Sequence, residues 1–292
     1  MSVIRDTITL RSSIFDYEYE NGRRYHAYKP GIYLLPNDDR EQERLESTYH
    51  IWNLVLGGNL CLSELSNPRR ILDIGTGTGS WAMDMGDQYP NAEIIGTDLS
   101  PIQHEEVPSN VRFEIDDCRD PWLYEEDYFD FIHIRTLAGA IQNWPRLLEQ
   151  CYRHLKPGGK LEISEGRANF WWKNDTVPED SYTYRWLKEW RRLAPQVQFD
   201  IFPFLPDMLR ELPFTGLRPL EKLVPLGPWP HDKKLKEIGG EFLSLFLDNT
   251  LEAFTLALFT RTGGWKQLEL EVLLAHVRQE LMTGKMHLYT FW

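Results

Sequence analysis

Three glycines in Gly75-Thr76-Gly77-Thr78-Gly79 follow the short apolar run Arg70 to Ile74 and precede the helix-like Ser80-Trp-Ala-Met-Asp-Met. A glycine turn between a strand and a helix lets the backbone and the helix amino terminus approach a ligand, because no Cβ intervenes. Alone this is a weak signal. NAD sites use G-x-G-x-x-G, and the third glycine of that pattern is Ser80 here. Charge discriminates better: Asp73 stands just before the glycines, separated from Gly75 by one residue, where a carboxylate opposes a pyrophosphate but suits a ligand carrying an ammonium and a sulfonium. S-adenosylmethionine is such a ligand.

Two further acidic positions repeat the arrangement. The apolar run Glu93 to Gly96 ends in Thr97-Asp98, 19 residues beyond Gly79, from where a carboxylate can accept both hydroxyls of a ribose as a fork. The run Val111 to Ile115 leads into Asp116-Asp117-Cys118, where a carboxylate can take an adenine amino group and the next backbone N–H the ring. No P-loop Gly-Lys-Ser/Thr is present, which disfavours nucleoside triphosphate chemistry. Each acid also has an ordinary reading: Asp73 as a helix cap, Asp98 as a turn residue before Ser100-Pro101, Asp116-Asp117 as a solvated loop. Their recurrence at the carboxyl ends of successive strands, where open α/β sheets bind ligands, favours the binding reading.

The elements that must carry these groups alternate. Further strands are expected at 129–134 and 160–164, with a helix over 145–155 stopped by Lys156-Pro157-Gly158-Gly159. Alternating strands and helices imply an α/β fold, a parallel sheet with helices on both faces and right-handed crossovers. Residues 1–66 lack a sheet pattern and read as a helical cap with a helix near 38–56, on which Glu41, Glu43 and Glu46 form a solvated face with Arg44. Residues 67–292 form the main domain, with an aromatic-rich lid at 166–213 and a helical insertion at 231–282. Strands are expected near 217–226 and 286–291. Within the lid, Tyr182, Trp186 and Trp190 share one helix face, a spacing that serves core packing as readily as an acceptor pocket.

Composition narrows the partners. Among 292 residues, 32 Lys and Arg stand against 44 Asp and Glu, a formal charge of -12, and no basic run appears. Such a chain is not expected to bind nucleic acid, whose nonspecific affinity comes from a basic surface releasing counterions. Three scattered cysteines and eight histidines without paired spacing suggest neither disulfides nor a metal site. Residues 1–13 lack the apolar block of a signal peptide, and the apolar stretch 251–259 is too short to cross a bilayer, so no membrane partner is expected. The expected location is the cytoplasm, with the nucleus as the alternative.

The segments ILDIGTGTGSWAMDMGDQYPNAEIIGTDLSPIQ, VRFEIDDCRDPW, YFDFIHIRTLAGAIQNW and LKPGGKLEISE together resemble the class I S-adenosylmethionine-dependent methyltransferases, and within them the LaeA-like fungal group. NGRRYHAYKPGIYLLPNDDREQERLE, PLGPWPHDKKLKEIG and GWKQLELEVLLAHVRQEL extend the likeness over most of the chain. The resemblance implies a Rossmann-like, mostly parallel seven-stranded sheet with a final antiparallel strand. It implies that Asp73, Gly75, Thr76, Gly77 and Gly79 line the methionine end of the cofactor, Asp98 and Leu99 the ribose, and Asp117 and Cys118 the adenine, with Arg135 near the methionine or the acceptor. The implied activity is methyl transfer to a small, apolar secondary metabolite. Two alternatives accompany it: a regulatory subunit working with velvet-domain proteins, and a cyclase that keeps the cofactor structurally.

Methyl transfer is an in-line displacement at a carbon the sulfonium already activates, so holding the acceptor and excluding water matter most. A base is optional. By position the candidates are His133 and Tyr25, with Glu165 and His26 beside them. His133 has a rival reading as a satisfied core histidine, because its strand is covered on both faces.

Overall fold

The computed structural model describes residues 16–26 and 34–292; the amino-terminal segment judged for targeting lies outside them. The first element is a hairpin, β1 (Glu18–Glu20) and β2 (Arg23–Tyr25). The reading of residues 1–66 as free of sheet is corrected here. Asn21 and Gly22 both take positive φ, the pair a two-residue hairpin turn demands. Arg23 forks onto Asp38 at 2.7 and 2.8 Å, and Asp38 also caps α1 (Asp39–Leu56) by accepting from the Glu41 N–H. One carboxylate thus starts the helix and clamps the hairpin to it.

The runs rich in Ile, Leu and Phe then build the sheet: β3 (Arg70–Ile74), α2 (Ser80–Gln88), β4 (Glu93–Asp98), β5 (Val111–Ile115), β6 (Phe129–Arg135), α3 (Trp144–His154) and β7 (Leu155–Ser164). Their order is β5-β4-β3-β6-β7, all parallel. Alternation of side chains sends Ile71, Ile94 and Phe131 to one face, against Trp81, Ala82 and Met85 of α2. Leu72, Ile95 and Ile132 go to the other, against Trp144, Leu147 and Cys151 of α3. Strands covered on both faces must be continuously apolar, which is why they were legible as strands. β7 starts earlier than expected because Leu155 pairs with Phe129 before the Pro157-Gly158-Gly159 segment shifts the register.

Beyond β7 the chain adds β8 (Trp171–Trp172), α4 (Tyr182–Leu193), a short α5 (Leu205–Arg210), β9 (Leu223–Leu226), α6 (Lys233–Leu245), α7 (Leu251–Ala257), α8 (Gln267–Met282) and β10 (Leu288–Phe291). β8, β10 and β9 form a separate antiparallel sheet. The single seven-stranded sheet is therefore split into five parallel strands and an antiparallel three. The Arg167 N–H donates to the Phe291 carbonyl at 2.8 Å, so β10 lies alongside the path of β7 and β8, and the lateral order has seven positions with an interruption after Ser164. The last strand is antiparallel, as the resemblance implied.

Residues 233–262 form one continuous helical rod in which α6 and α7 are followed by π-helical turns at Phe246–Thr250 and Leu258–Thr262. By length and composition this rod could cross a membrane, an exception to the expectation that no apolar stretch is long enough. Its apolar residues, among them Ile238, Phe242, Phe246, Leu251, Leu256 and Phe259, are buried in a core shared with α4 and α8.

Candidate active site

The carboxyl ends of β3, β4, β5, β6 and β7 open into one cleft, roofed by α1, α4 and the 233–262 rod, with a volume of about 1710 Å³ including its mouth. One half is polar and lined by backbone. The other is walled by rings.

In the polar half the glycine turn is tied to the neighbouring strand: the N–H groups of Gly75 and Thr76 both donate to the Thr97 carbonyl at 2.9 Å. Gly75 and Gly77 line the cleft with positive φ, and a Cβ at Gly75 would stand 2.7 Å from Leu137. Asp73, Thr76 and Gly79, expected at the methionine end, do not line it. Asp73 is buried and accepts from the Thr76 hydroxyl at 2.6 Å while its other oxygen meets His133 Nδ1 at 2.7 Å, so it braces the turn from behind. Gly79 has φ +91 and faces inward; a Cβ there would lie 2.3 Å from the Phe113 ring.

Asp98, Leu99, Asp117 and Cys118 line the cleft as expected. Asp98 Oδ2 accepts from the Gly77 N–H at 2.9 Å and Oδ1 from the Ser100 N–H at 3.0 Å. One backbone donor per oxygen leaves each a lone pair for a ribose hydroxyl. Burial outweighs these donors and pushes the Asp98 carboxyl up to about 6. Asp117 differs from its expected role: its carboxylate grips Arg119 through Nε and Nη2, both at 2.7 Å, rather than standing open to an adenine amino group. Burial pushes the Cys118 thiol up to about 12, so it contributes as a small neutral surface.

The ringed half is formed by Phe170, Trp186, Trp190, Phe199, Phe254 and Trp292, among others. Trp186 and Trp190 serve core and cavity at once, with their ring nitrogens donating to Thr255 and to the Ala168 carbonyl. Tyr182, on the expected face, is instead exposed and stacks on His276 at 4.0 Å. The solvated acidic face of α1 is also corrected. Glu41 and Arg44 are buried, paired at 2.8 Å and line the cleft, and Glu46 accepts from Ser80; Glu43 alone of the set is exposed. The signal was present: stepping back by three and four from the buried Val55, Ile51 and Trp52 passes through Thr48, Arg44 and Glu41.

Neither expected base reaches the cleft. His133 is 1% exposed, stacked 3.8 Å above Trp81 and bonded to Asp73; burial lowers its pKa despite Asp73, so it stays neutral. Tyr25 is buried beneath the Arg261 guanidinium, and burial pushes its hydroxyl up to about 12. His26 and Glu165, named beside them, do line the cleft. Arg135 lines it too, with Nη2 donating to the Leu60 carbonyl at 3.1 Å, while its buried Nε and Nη1 have no partner among the described residues.

These features fit S-adenosylmethionine. Gly75 leaves a cradle that a Cβ would obstruct, Asp98 offers a doubly anchored acceptor for a ribose, and a partnerless guanidinium N–H of Arg135 can donate to a carboxylate. No cluster of His, Cys, Asp and Glu fit to hold a metal ion occurs among the described residues.

Comparison with known proteins agrees. A family described as a methyltransferase domain matches residues 55–210. The methyltransferase pytC of Aspergillus terreus is 43% identical over 96% of this chain and 87% of its own length. The secondary metabolism regulator LAE1 of Cochliobolus heterostrophus is 36% identical, covering 92% of this chain and 91% of that protein. The protein-methionine methyltransferase laeA of Emericella nidulans is 30% identical over 92% of this chain and 73% of its own.

Proposed function

We propose, from the premise that this chain belongs to the LaeA-like S-adenosylmethionine-dependent methyltransferases, that it methylates a small, apolar secondary metabolite held in the ringed half of the cleft. The chain is an S-adenosylmethionine-dependent methyltransferase and S-adenosylmethionine is its cofactor. One observation carries the choice of acceptor: the cavity that adjoins the glycine cradle is walled by Phe170, Trp186, Trp190, Phe199 and Phe254, a surface matched by a flat apolar molecule.

When bound, the cofactor supplies a methyl carbon activated by sulfonium. The residues supply position: Gly75 and Gly77 allow close approach, Asp98 and Leu99 hold the ribose, Cys118 flanks the adenine, and Arg135 takes the methionine carboxylate. Asp117, committed to Arg119, shapes the adenine end. The rings exclude water from the acceptor. Calorimetric titration of the purified chain with S-adenosylmethionine tests this reading. The parent binds and Asp98→Ala weakens binding by about a hundredfold, the loss of two hydrogen bonds to a charged group; a parent that does not bind overturns it.

A second reading is favoured by the relatives named as secondary metabolism regulators: a regulatory methyltransferase working with a velvet-domain protein in the nucleus. Co-purification of the tagged chain, with microscopy of its location, separates the two. Recovery of a velvet-domain partner from nuclei supports the regulator; a free cytoplasmic chain supports the biosynthetic enzyme.

A further inference from the structure

Five carboxylates line the cleft, and four are committed. Glu41 is paired with Arg44, Asp117 with Arg119, Asp98 is held by two backbone N–H groups, and Asp116, at the adenosine end, accepts from the Asp117 N–H. Glu165 is different. It follows β7 at the junction of the polar and ringed halves, is 2% exposed, and pairs with no Lys or Arg among the described residues. Its Oε1 accepts the N–H groups of Leu137 and Ala138 at 2.7 and 3.1 Å, which fixes the carboxyl plane and leaves Oε2 for the cleft. Neither nearby cation pairs with it: Arg135 donates to the Leu60 carbonyl, lies over Tyr49 and Trp52 and is assigned to the methionine carboxylate, and Arg167 holds Asp200 and Glu221.

We propose that Glu165 is the proton acceptor for the methylated group, and that the acceptor is a planar, apolar molecule presenting a hydroxyl of the phenol or enol class. This rests on the methyltransferase reading of the same cleft. As the acceptor oxygen forms its bond to the methyl carbon, its O–H bond breaks and the proton passes to Glu165 Oε2; the electron pair of the broken sulfur–methyl bond stays on sulfur. The products are a methyl ether, the neutral thioether and a protonated carboxyl.

The environment selects a hydroxyl over an ammonium. An ammonium beside Glu165 would form an ion pair that keeps its proton in place and its lone pair unavailable for attack. A neutral hydroxyl needs a base whose pKa lies near the working pH. Burial, opposed only by the two backbone donors, pushes the Glu165 carboxyl up to about 8.

The test uses 2-naphthol, a planar phenol whose excited state gives up its proton to bulk water or to a neighbouring base; once the probe is bound and shielded from water, naphtholate emission on exciting the neutral form reports a base within hydrogen-bond reach. With the full chain at saturation, so that the bound probe is read, naphtholate emission should persist in the bound fraction and rise as pH passes through about 8. In Glu165→Gln, whose amide oxygen still accepts from Leu137 and Ala138, it should fall at least tenfold while 2-naphthol and S-adenosylmethionine bind as to the parent. Absence of 2-naphthol binding, binding without naphtholate emission, equal emission from E165Q, or a pH-flat signal from the parent overturns the proposal. The pH series needs no variant, so a poorly folding E165Q leaves it testable. Calorimetry with S-adenosylmethionine on the same preparation reports separately on the methyltransferase reading.

Discussion

The two halves of the cleft are built by opposite strategies. The polar half uses backbone: the Thr97 carbonyl, the Gly77 and Ser100 N–H groups and a buried Asp73 set its geometry across two paired strand ends, those of β3 and β4. The ringed half uses side chains from elements far apart in sequence, with Trp190 of α4, Phe254 of α7 and the carboxy-terminal Trp292 meeting across one space. Backbone geometry at a glycine turn has few solutions. A wall of interlocked rings can change shape by substitution while its core function survives, which is where a fold can alter its acceptor without losing its cofactor.

That contrast predicts unequal responses to mutation. The largest effect is expected for Gly79→Ala, where φ +91 and a Cβ 2.3 Å from Phe113 combine strain with overpacking. A loss of about 3 kcal/mol of stability, and of measurable S-adenosylmethionine binding, should appear in thermal melts and calorimetry. Asp73→Ala strips the partners from the Thr76 hydroxyl and from His133, at a cost of about 2 kcal/mol, and weakens the cofactor without touching it. If the melting temperature holds and only turnover falls, the bracing role assigned to Asp73 is wrong.

Phe254→Ala, in the other half, should raise the acceptor KM by about tenfold, the equivalent of one modest apolar contact, and leave cofactor affinity unchanged. A matching loss of cofactor affinity would show that the halves are not independent. The smallest effect concerns pH. The Asp98 carboxyl is raised to about 6, and the ribose contact proposed for it uses its ionised form, so affinity for S-adenosylmethionine should be full above that value. It should fall by about tenfold for each pH unit below it, as titration calorimetry across that range can check. Because this pKa is raised by burial, ionising Asp98 in the free protein opposes folding. The uncomplexed chain should therefore lose a little stability as pH rises through about 6, opposite in sign to the gain in binding.

Much of this was readable without coordinates. Strand ends at Ile74, Asp98 and Ile115 were legible because strands buried on both faces must be continuously apolar, and because glycine and aspartate mark where such strands stop. Cleft positions for Gly75, Gly77, Asp98, Leu99, Asp117, Cys118 and Arg135 followed from the resemblance at those motifs, and each lines the cavity. The Asn21-Gly22 turn carried a hairpin signal in its two residues, and the Glu41–Arg44 face a burial signal in its register with Ile51 and Val55.

Only the tertiary structure decided which side chains of a known strand end point to the ligand and which brace it. Asp73 and His133 belong to the right strands yet face each other behind the turn, because β3 and β6 are neighbours in register, with Asp73 opposite His133. Likewise no local pattern could show that Glu165 pairs with no Lys or Arg among the described residues. Sequence periodicity records the burial of one element at a time, whereas pairing of charges across a cleft is a property of distances between elements, which exist only once the chain has closed on itself.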